Sequence, residues 1–342
     1  MAVELKTELI PAIATLRPVP MEIGGLFFGG TRQFFNGVKV EFDVATVNGQ
    51  SAGYNSFSSQ AKVVKKDGFD TITLDPLNIN EATDITAENT KQKSFGFDKY
   101  GNSAGGTDTA QLTSELEGFN LLRNRGLRAV KKAMYEAITT GKIVYGQNGI
   151  VDIDFNMPAG NKEVLTGTSL WSNVDSDPVA KLTSVYDSML VTPEACVMSE
   201  TAYNAFKAHA EVLTVDNITT GTKRNFIASE NITVDAGTKL VKVGRLADRP
   251  LDVYMELDSY LVGTTKTPYM TPNFVVFGSS SVGGQLFGGV PTLGNGGISW
   301  EATEFLPLVI TEENPVSVTR VYKSAPLPVL LNTNGFYSLK VL

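Results

Sequence analysis

The sequence predicts an α+β protein with segments that reach beyond its own core, and three observations carry that reading. The first is one long amphipathic stretch from about Asp108 to Thr140, with Leu112, Leu116, Phe119, Leu127, Val130, Met134 and Ile138 at three- and four-residue intervals. The second is strand-like alternation on both sides of it, ending in Val316 to Leu342, where two alternating runs flank Ser324-Ala325-Pro326-Leu327-Pro328 and Asn334-Gly335. The third is a proline-stiffened N-terminal segment followed by a long hairpin-like stretch. Both hold apolar residues but have little neighbouring chain to cover them, which points to burial against other copies.

In chain order, Met1 to about Pro20 reads as a short helix and then, through Arg17-Pro18-Val19-Pro20, as an extended arm, because each proline pushes its predecessor out of the α region. After Ile23-Gly24-Gly25-Leu26-Phe27-Phe28 comes a half-buried strand in which Val38, Val40, Phe42 and Val44 alternate with Lys39, Glu41 and Asp43. The polar run from Asn48 to Ser59 and the returning runs Ala61-Val63-Val64 and Phe69-Thr71-Ile72-Leu74 make this a long hairpin. Leu74-Asp75-Pro76-Leu77-Asn78 closes it, and Asn80 to Asn89 is predicted as a short helix or turn.

For the long helix, Asp108 is a cap with Gln111 at the capping-box position, and Gly141 is the stop. Its length of about 45 to 50 Å suits a spine running beneath a sheet. Gly118 and Gly126 weaken it and mark bends or close approaches. A strand pair follows at Ile143 to Tyr145 and Val151 to Phe155, then a loop from Met157-Pro158 to Trp171. Asp177-Pro178 starts a second helix with Val179, Leu182, Val185, Tyr186 and Met189 as its apolar stripe. Ala195 to Met198 reads as a buried strand, and Ser199 caps a third helix through Tyr203, Phe206 and Ala210, which is the grammar of an α/β layer. Further strands fall near Lys239 to Val243, Leu251 to Met255, Tyr260 to Val262 and Phe274 to Phe277. Gly283 to Gly297 is predicted as a flexible loop. Pro326 and Pro328 each lack a backbone donor, so their strand belongs at an edge or bulge.

Composition removes several function classes. A net charge of -7 argues against a protein that gathers nucleic acid by wholesale charge neutralisation. The single cysteine rules out an intrachain disulfide framework and a multi-thiolate metal site. The first twenty residues carry Glu4, Lys6 and Glu8 and three prolines, unlike a signal peptide, and no run approaches the ~20 apolar residues of a membrane span.

Several stretches resemble the major capsid protein E family of lambda-type tailed phages: the ending with Ser324-Ala325-Pro326-Leu327, an apolar run, a turn and a final strand; Ile23 to Phe28 after the arm; and strand, Pro76-Leu77-Asn78 and an acidic stretch after the hairpin. Met198 to Phe206 ahead of Pro268 to Gly278 follows the family's order as well. The resemblance covers Gly25 to Leu342. It implies a Hong Kong 97-like capsid fold: an N-terminal arm over 1–36, an extended β-hairpin loop over 37–76, a peripheral domain from 77–150 and 299–342 with the spine helix at about 108–140, and an axial domain over 151–298. It further implies hexamers and pentamers in a shell, a scaffolding protein, a portal, a decoration protein, and packaged double-stranded DNA touched weakly and without sequence specificity. The expected location is the virion, with assembly in the bacterial host cytoplasm and no membrane. Competing readings are a tail-tube subunit or a cellular encapsulating shell protein of the same fold. An α/β enzyme is a third class, for which no nucleophile, base or metal set emerges.

Each candidate for chemistry has a plainer account. His209, the only histidine, cannot form a His-rich metal site and reads as a helix-face residue; Cys196 reads as a small buried hydrophobe. The glycines of Gly283 to Gly297 lack a Walker ending and suit a loop gathered around a symmetry axis. Asp84, Glu88, Asp152, Asp154, Asp175 and Asp177 match neither a calcium loop nor a spaced acid/base pair and read as solvated or capping groups. Arg123, Arg125, Arg128, Lys131 and Lys132 on the spine form either a solvated face or a contact to DNA or a partner's acidic patch. Lys62, Lys65 and Lys66 are available for an intersubunit crosslink, but the lambda-type resemblance implies non-covalent contacts. No catalytic, cofactor-binding or metal-binding residue is expected.

Overall fold

A computed structural model describes residues 2–5, 18–37, 39–45, 69–74, 76–86, 107–145, 151–209, 226–228, 239–294, 297–314 and 316–342. Strand β1 (Ala2–Leu5), helix α1 (Glu22–Phe27) and strands β2 (Thr31–Phe34), β3 (Val40–Ala45), β4 (Phe69–Leu74) and β5 (Ile79–Thr86) precede the long helix α2 (Thr107–Thr140). Strands β6 (Lys142–Tyr145), β7 (Val151–Asp154) and β8 (Lys162–Val164) lead to helix α3 (Pro178–Ser188), strand β9 (Ala195–Ser199) and helix α4 (Glu200–Ala208). Next come β10 (Phe226–Ala228), β11 (Leu240–Leu246), β12 (Asp252–Glu256), β13 (Ser259–Val262), β14 (Thr265–Pro268) and β15 (Phe274–Gly278). Strands β16 (Gly283–Phe287), β17 (Gly289–Gly294), β18 (Gly297–Ala302), β19 (Leu306–Glu313), β20 (Val316–Ser324), β21 (Pro326–Leu330) and β22 (Tyr337–Lys340) end the chain.

Three sheets organise these elements. A seven-stranded mixed sheet runs β10-β11-β12-β9-β15-β22-β8, a four-stranded antiparallel sheet runs β1-β19-β20-β5, and a three-stranded sheet runs β2-β16-β21. The uninterrupted apolar run of β9 is explained by its place inside the large sheet: Ala195 and Val197 enter the main core, while Cys196 and Met198 enter a second core on the opposite face. That second core is closed by α3 and α4 through Val179, Leu182, Val185, Ala202 and Phe206. The caps foreseen for these helices form, Asp177 Oδ1 accepting from Ala180 N at 2.8 Å and Ser199 Oγ from Ala202 N at 3.3 Å.

The spine helix crosses from one sheet to the other. Its N-terminal part lies on the four-stranded sheet, where Phe119 and Leu122 pack with Phe305, Val309 and Tyr322. Its C-terminal part, Val130 to Ile138, enters the main core. Gly118 and Gly126 are close approaches: a Cβ at Gly118 would stand 2.6 Å from Arg320 Nη1, and one at Gly126 would stand 2.3 Å from Tyr322 Cε1. Gly141 ends the helix with φ of 75° and donates its N–H to Ala137 O at 2.9 Å. The strand of Pro326 and Pro328 is an outer strand of its sheet, as the two missing donors require.

Four expectations need correction or adjustment. Ala2–Leu5 is not helical but pairs antiparallel with Leu308–Thr311; 6–17 lie outside the described residues. Asn80 to Asn89 is expected as a short helix or turn, but Ile79–Thr86 is an eight-residue strand, because β20 offers it a continuous ladder from Ser317 to Ser324 that local propensity does not reveal; 87–89 lie outside the described residues. Gly283 to Gly297 is not a loop: it forms β16 and most of a β17–β18 hairpin, Asn295 and Gly296 lying outside the described residues. Its glycines make room rather than flexibility, since a Cβ at Gly283 would meet Phe27 O at 2.2 Å and one at Gly288 would meet Pro76 Cγ at 2.4 Å. Finally, β22 pairs with β15 and β8, so the last strand lies in the same sheet as strands from 151–298.

Candidate assembly surfaces

Two of the two-stranded hairpins outside the three sheets expose apolar side chains on adjacent positions. In β17–β18 the register pairs Pro291 with Trp300 and Leu293 with Ile298, which puts all four on one face. Leu293 and Ile298 are each 73% exposed and Trp300 39%, whereas Val290 and Thr292 on the opposite face are buried. The hairpin is thus seated on its own chain by one face and presents an apolar ladder with the other. In β13–β14, Leu261 and Val262 are likewise exposed at the turn. The hairpin foreseen over 37–76 has its base in β3–β4, with register from Val40 opposite Leu74 to Ala45 opposite Phe69; its tip, including Lys62, Lys65 and Lys66, lies outside the described residues.

The cationic cluster on the spine splits into two environments. Arg125, Arg128 and Lys132 line an open groove of about 770 Å³ between α2, β5 and the β13–β14 hairpin, with Glu81, Tyr260 and Leu261 opposite. Arg125 Nε donates to Glu81 Oε2 at 2.8 Å and Lys132 Nζ lies 3.4 Å from Glu136 one turn on, pairs exposed enough to contribute little stability. Lys131, by contrast, is fully buried. Its Nζ donates to Asp258 Oδ2 at 2.8 Å, lies 3.9 Å from Glu22 Oε2 and stands 5.0 Å from the Tyr269 ring centroid. A solvated face does not describe this residue, because helical rotation aims it at carboxylates brought by two other segments.

Around Lys131 a buried polar hub ties the root of the arm to the spine and the large sheet. Tyr135 donates its hydroxyl to Glu256 Oε2, Asp258 N donates to Glu256 Oε1 at 2.7 Å, and Lys239 Nζ lies 3.1 Å from Asp258 Oδ1. Burial pushes the Glu256 carboxyl above its ordinary range, against the pull of Lys131, while Asp258, also desolvated, is held below its own by the Lys131 ammonium. Burial and the Glu256 charge push the Tyr135 phenol well up, so it stays a donor. Three carboxylates face two ammonium groups, and Glu256 is the carboxyl among them that is held above its ordinary range.

The remaining candidates stay dispersed. His209 sits just past α4, and its Nε2 lies 2.7 Å from Trp171 O; a carbonyl only accepts, so Nε2 carries the hydrogen and pins the 171–176 loop to the helix end. Burial raises the Cys196 thiol well above its usual range, which removes thiolate reactivity. Asp177 is a helix cap, Asp84 and Asp175 are exposed, and Asp152 lies in β7 opposite Val144. Asp154 loses some solvation but is held below the ordinary range by Lys142 and the Asn156 N–H. Glu88 lies outside the described residues. Among the described residues no group of carboxylate, histidine and cysteine side chains forms a metal-binding set, and no helix is long and apolar enough to cross a membrane.

Arm root, hairpin base, a spine crossing two sheets and a mixed sheet flanked by α3 and α4 define a protein of the Hong Kong 97-like capsid class. The chain belongs to the phage major capsid protein E family, whose description it matches over residues 6–341. It is similar to the major capsid protein of Pseudomonas phage JBD67, with 29% identity over 82 residues, a stretch covering 24% of each chain. In fold it is similar to a protein described as the prophage capsid protein of Escherichia coli CFT073, with TM-score 0.69, 17% identity and 100% of both chains covered. It is also similar in fold to a phage-related protein of Bordetella bronchiseptica RB50, with TM-score 0.54, 13% identity and 99% and 98% covered. Family and fold together support a capsid shell-forming role, with the virion as its place.

Proposed function

We propose that copies of this chain assemble as hexamers and pentamers into an icosahedral head shell that encloses the double-stranded DNA of a tailed phage. The observation that carries the reading is the family match over nearly the whole chain, joined to hairpins that expose an apolar ladder no part of their own chain covers among the described residues. Exposed faces of this kind are hidden when neighbours pack, and heterologous contacts around rotation axes close a shell when curvature permits. The proposed work is structural: among the described residues the buried thiol, the pinned histidine and the dispersed carboxylates bring no nucleophile and base within reach of each other.

The division into arm, hairpin, peripheral and axial regions belongs to the same proposal, with β22 shared into the axial sheet. A scaffolding protein, a portal and a decoration protein are the expected partners, with assembly in the host cytoplasm. The DNA contact is weak, since a chain of net charge -7 offers the genome no strongly attractive wall. Electron microscopy of the purified full chain under assembly conditions tests the reading. Icosahedral particles are expected; a chain that stays monomeric at every concentration and ionic strength tried would sink it.

A further inference from the structure

We propose that the groove beside Arg128 receives the acidic tip of the β19–β20 hairpin of a second copy, with Glu313 as the partner of Arg128. The inference rests on the shell reading and adds to it a particular pair of surfaces.

The groove is built for a negatively charged, partly apolar segment. Three cations, Arg125, Arg128 and Lys132, stand along one wall, and Tyr260 and the exposed Leu261 along the other. Arg125 and Lys132 already have carboxylate partners in Glu81 and Glu136, whereas no ionic partner of Arg128 occurs among the described residues. Arg128 is exposed, so its guanidinium fork is free to take a carboxylate in two-pronged fashion. A duplex phosphate backbone fits less well, because it rewards an uninterrupted run of cations and here meets two carboxylates and an aliphatic rim.

The hairpin tip has the matching chemistry. Glu312 and Glu313 end β19, Glu313 and Asn314 are exposed, and neither glutamate has an ionic partner among the described residues. The tip cannot reach the groove of its own chain: Glu81 pairs with Tyr322, whereas Glu313 pairs with Val316, which separates the two by about 20 Å along β20. Tip and groove are therefore different surfaces of one molecule, as a head-to-tail contact requires. Copies of net charge -7 repel one another in bulk, so contact is favoured where local charges of opposite sign meet.

The test is a charge swap in the full chain, read by electron microscopy and light scattering, with circular dichroism to verify that each variant folds. Arg128→Glu and Glu313→Arg alone are each expected to raise the concentration needed for particles about tenfold. The double variant is expected to return it to within about threefold of the parent. Folded single variants that assemble like the parent overturn the proposal, as does a folded double variant that remains as deficient as the singles. Either result leaves parent particles, and with them the shell reading, intact. Normal particles whose Arg128→Glu form instead loses DNA retention overturn it in favour of nucleic acid as occupant. As a second measurement, Arg128→Cys mixed with Glu313→Cys is expected to give oxidised dimers on a denaturing gel, since the native Cys196 is buried and silent. Absence of that band when particles form counts against the pairing.

Discussion

The spine-and-sheet interior and the projecting hairpins obey opposite rules. In the interior the apolar side chains are covered by their own chain: β9 feeds two cores from alternate residues, Arg320 and Tyr322 fit over Gly118 and Gly126, and even a fully buried ammonium meets a carboxylate at 2.8 Å. In the β17–β18 hairpin only one face is answered, and Leu293 and Ile298 stand in solvent. The difference teaches that one sequence can specify a self-sufficient body and a surface that is completed from outside. Changes to the body should cost stability, and changes to the projections should cost assembly.

The largest breach of the body is expected from Lys131→Met. It leaves Asp258, Glu22 and Glu256 facing each other with only the half-exposed Lys239, and breaking a buried pair of this kind costs roughly 3–5 kcal/mol. Denaturant unfolding should show the loss at neutral pH, and a variant as stable as the parent would remove the hub from the interior's account. Next comes Gly126→Ala, whose methyl would press on a Tyr322 ring already stacked on Phe305 at 5.1 Å. Overpacking costs about 1–3 kcal/mol, of which the better helix propensity of alanine returns about 1, so a net loss is expected in thermal unfolding.

Glu256→Gln should act in the opposite direction. A carboxyl raised by burial contributes its full stability below the unfolded-state value and loses it as pH rises through the folded-state value. The parent therefore carries a penalty at pH 7 that the neutral amide avoids, while Tyr135 turns its hydroxyl to accept from the new amide nitrogen. The variant is expected to melt higher than the parent at pH 7 and to lose that advantage in acid below the ordinary glutamate range. An advantage that is constant across pH would assign the effect to packing instead. The smallest effect on stability, within about 0.5 kcal/mol, is expected from Leu293→Ser with Ile298→Ser, because both side chains are exposed. The same pair should abolish or sharply reduce particle formation in electron microscopy; unchanged particles would erase the contrast between body and projection.

Local pattern made much of the fold readable. The stripe from Phe119 to Ile138, the caps at Asp177 and Ser199, the stop at Gly141 and the buried run at Ala195 to Met198 are short-range signals, and the structure realises each within a residue or two. The pair of prolines even announced an outer strand, because a missing donor is a property of the residue itself. Of the assembly surfaces, Arg128 and Lys132 were legible within a cationic cluster on the spine; the exposed face of β17–β18 was hidden behind glycines that resemble a loop.

By itself, then, the sequence determined which segments could form helices and strands, and that no intrachain disulfide or multi-thiolate cluster would hold them. The tertiary structure alone decided that Ile79–Thr86 is a strand, that Gly283 is small because Phe27 O lies where a side chain would be, and that Lys131 is a buried partner rather than a solvated charge. The physical reason is range. Propensity, periodicity and capping act over a few residues, whereas β20 lies more than 200 residues from β5, Phe27 lies more than 200 from Gly283, and Asp258 lies 127 residues from Lys131. Only the folded chain brings those partners within contact distance, and contact is what sets their roles.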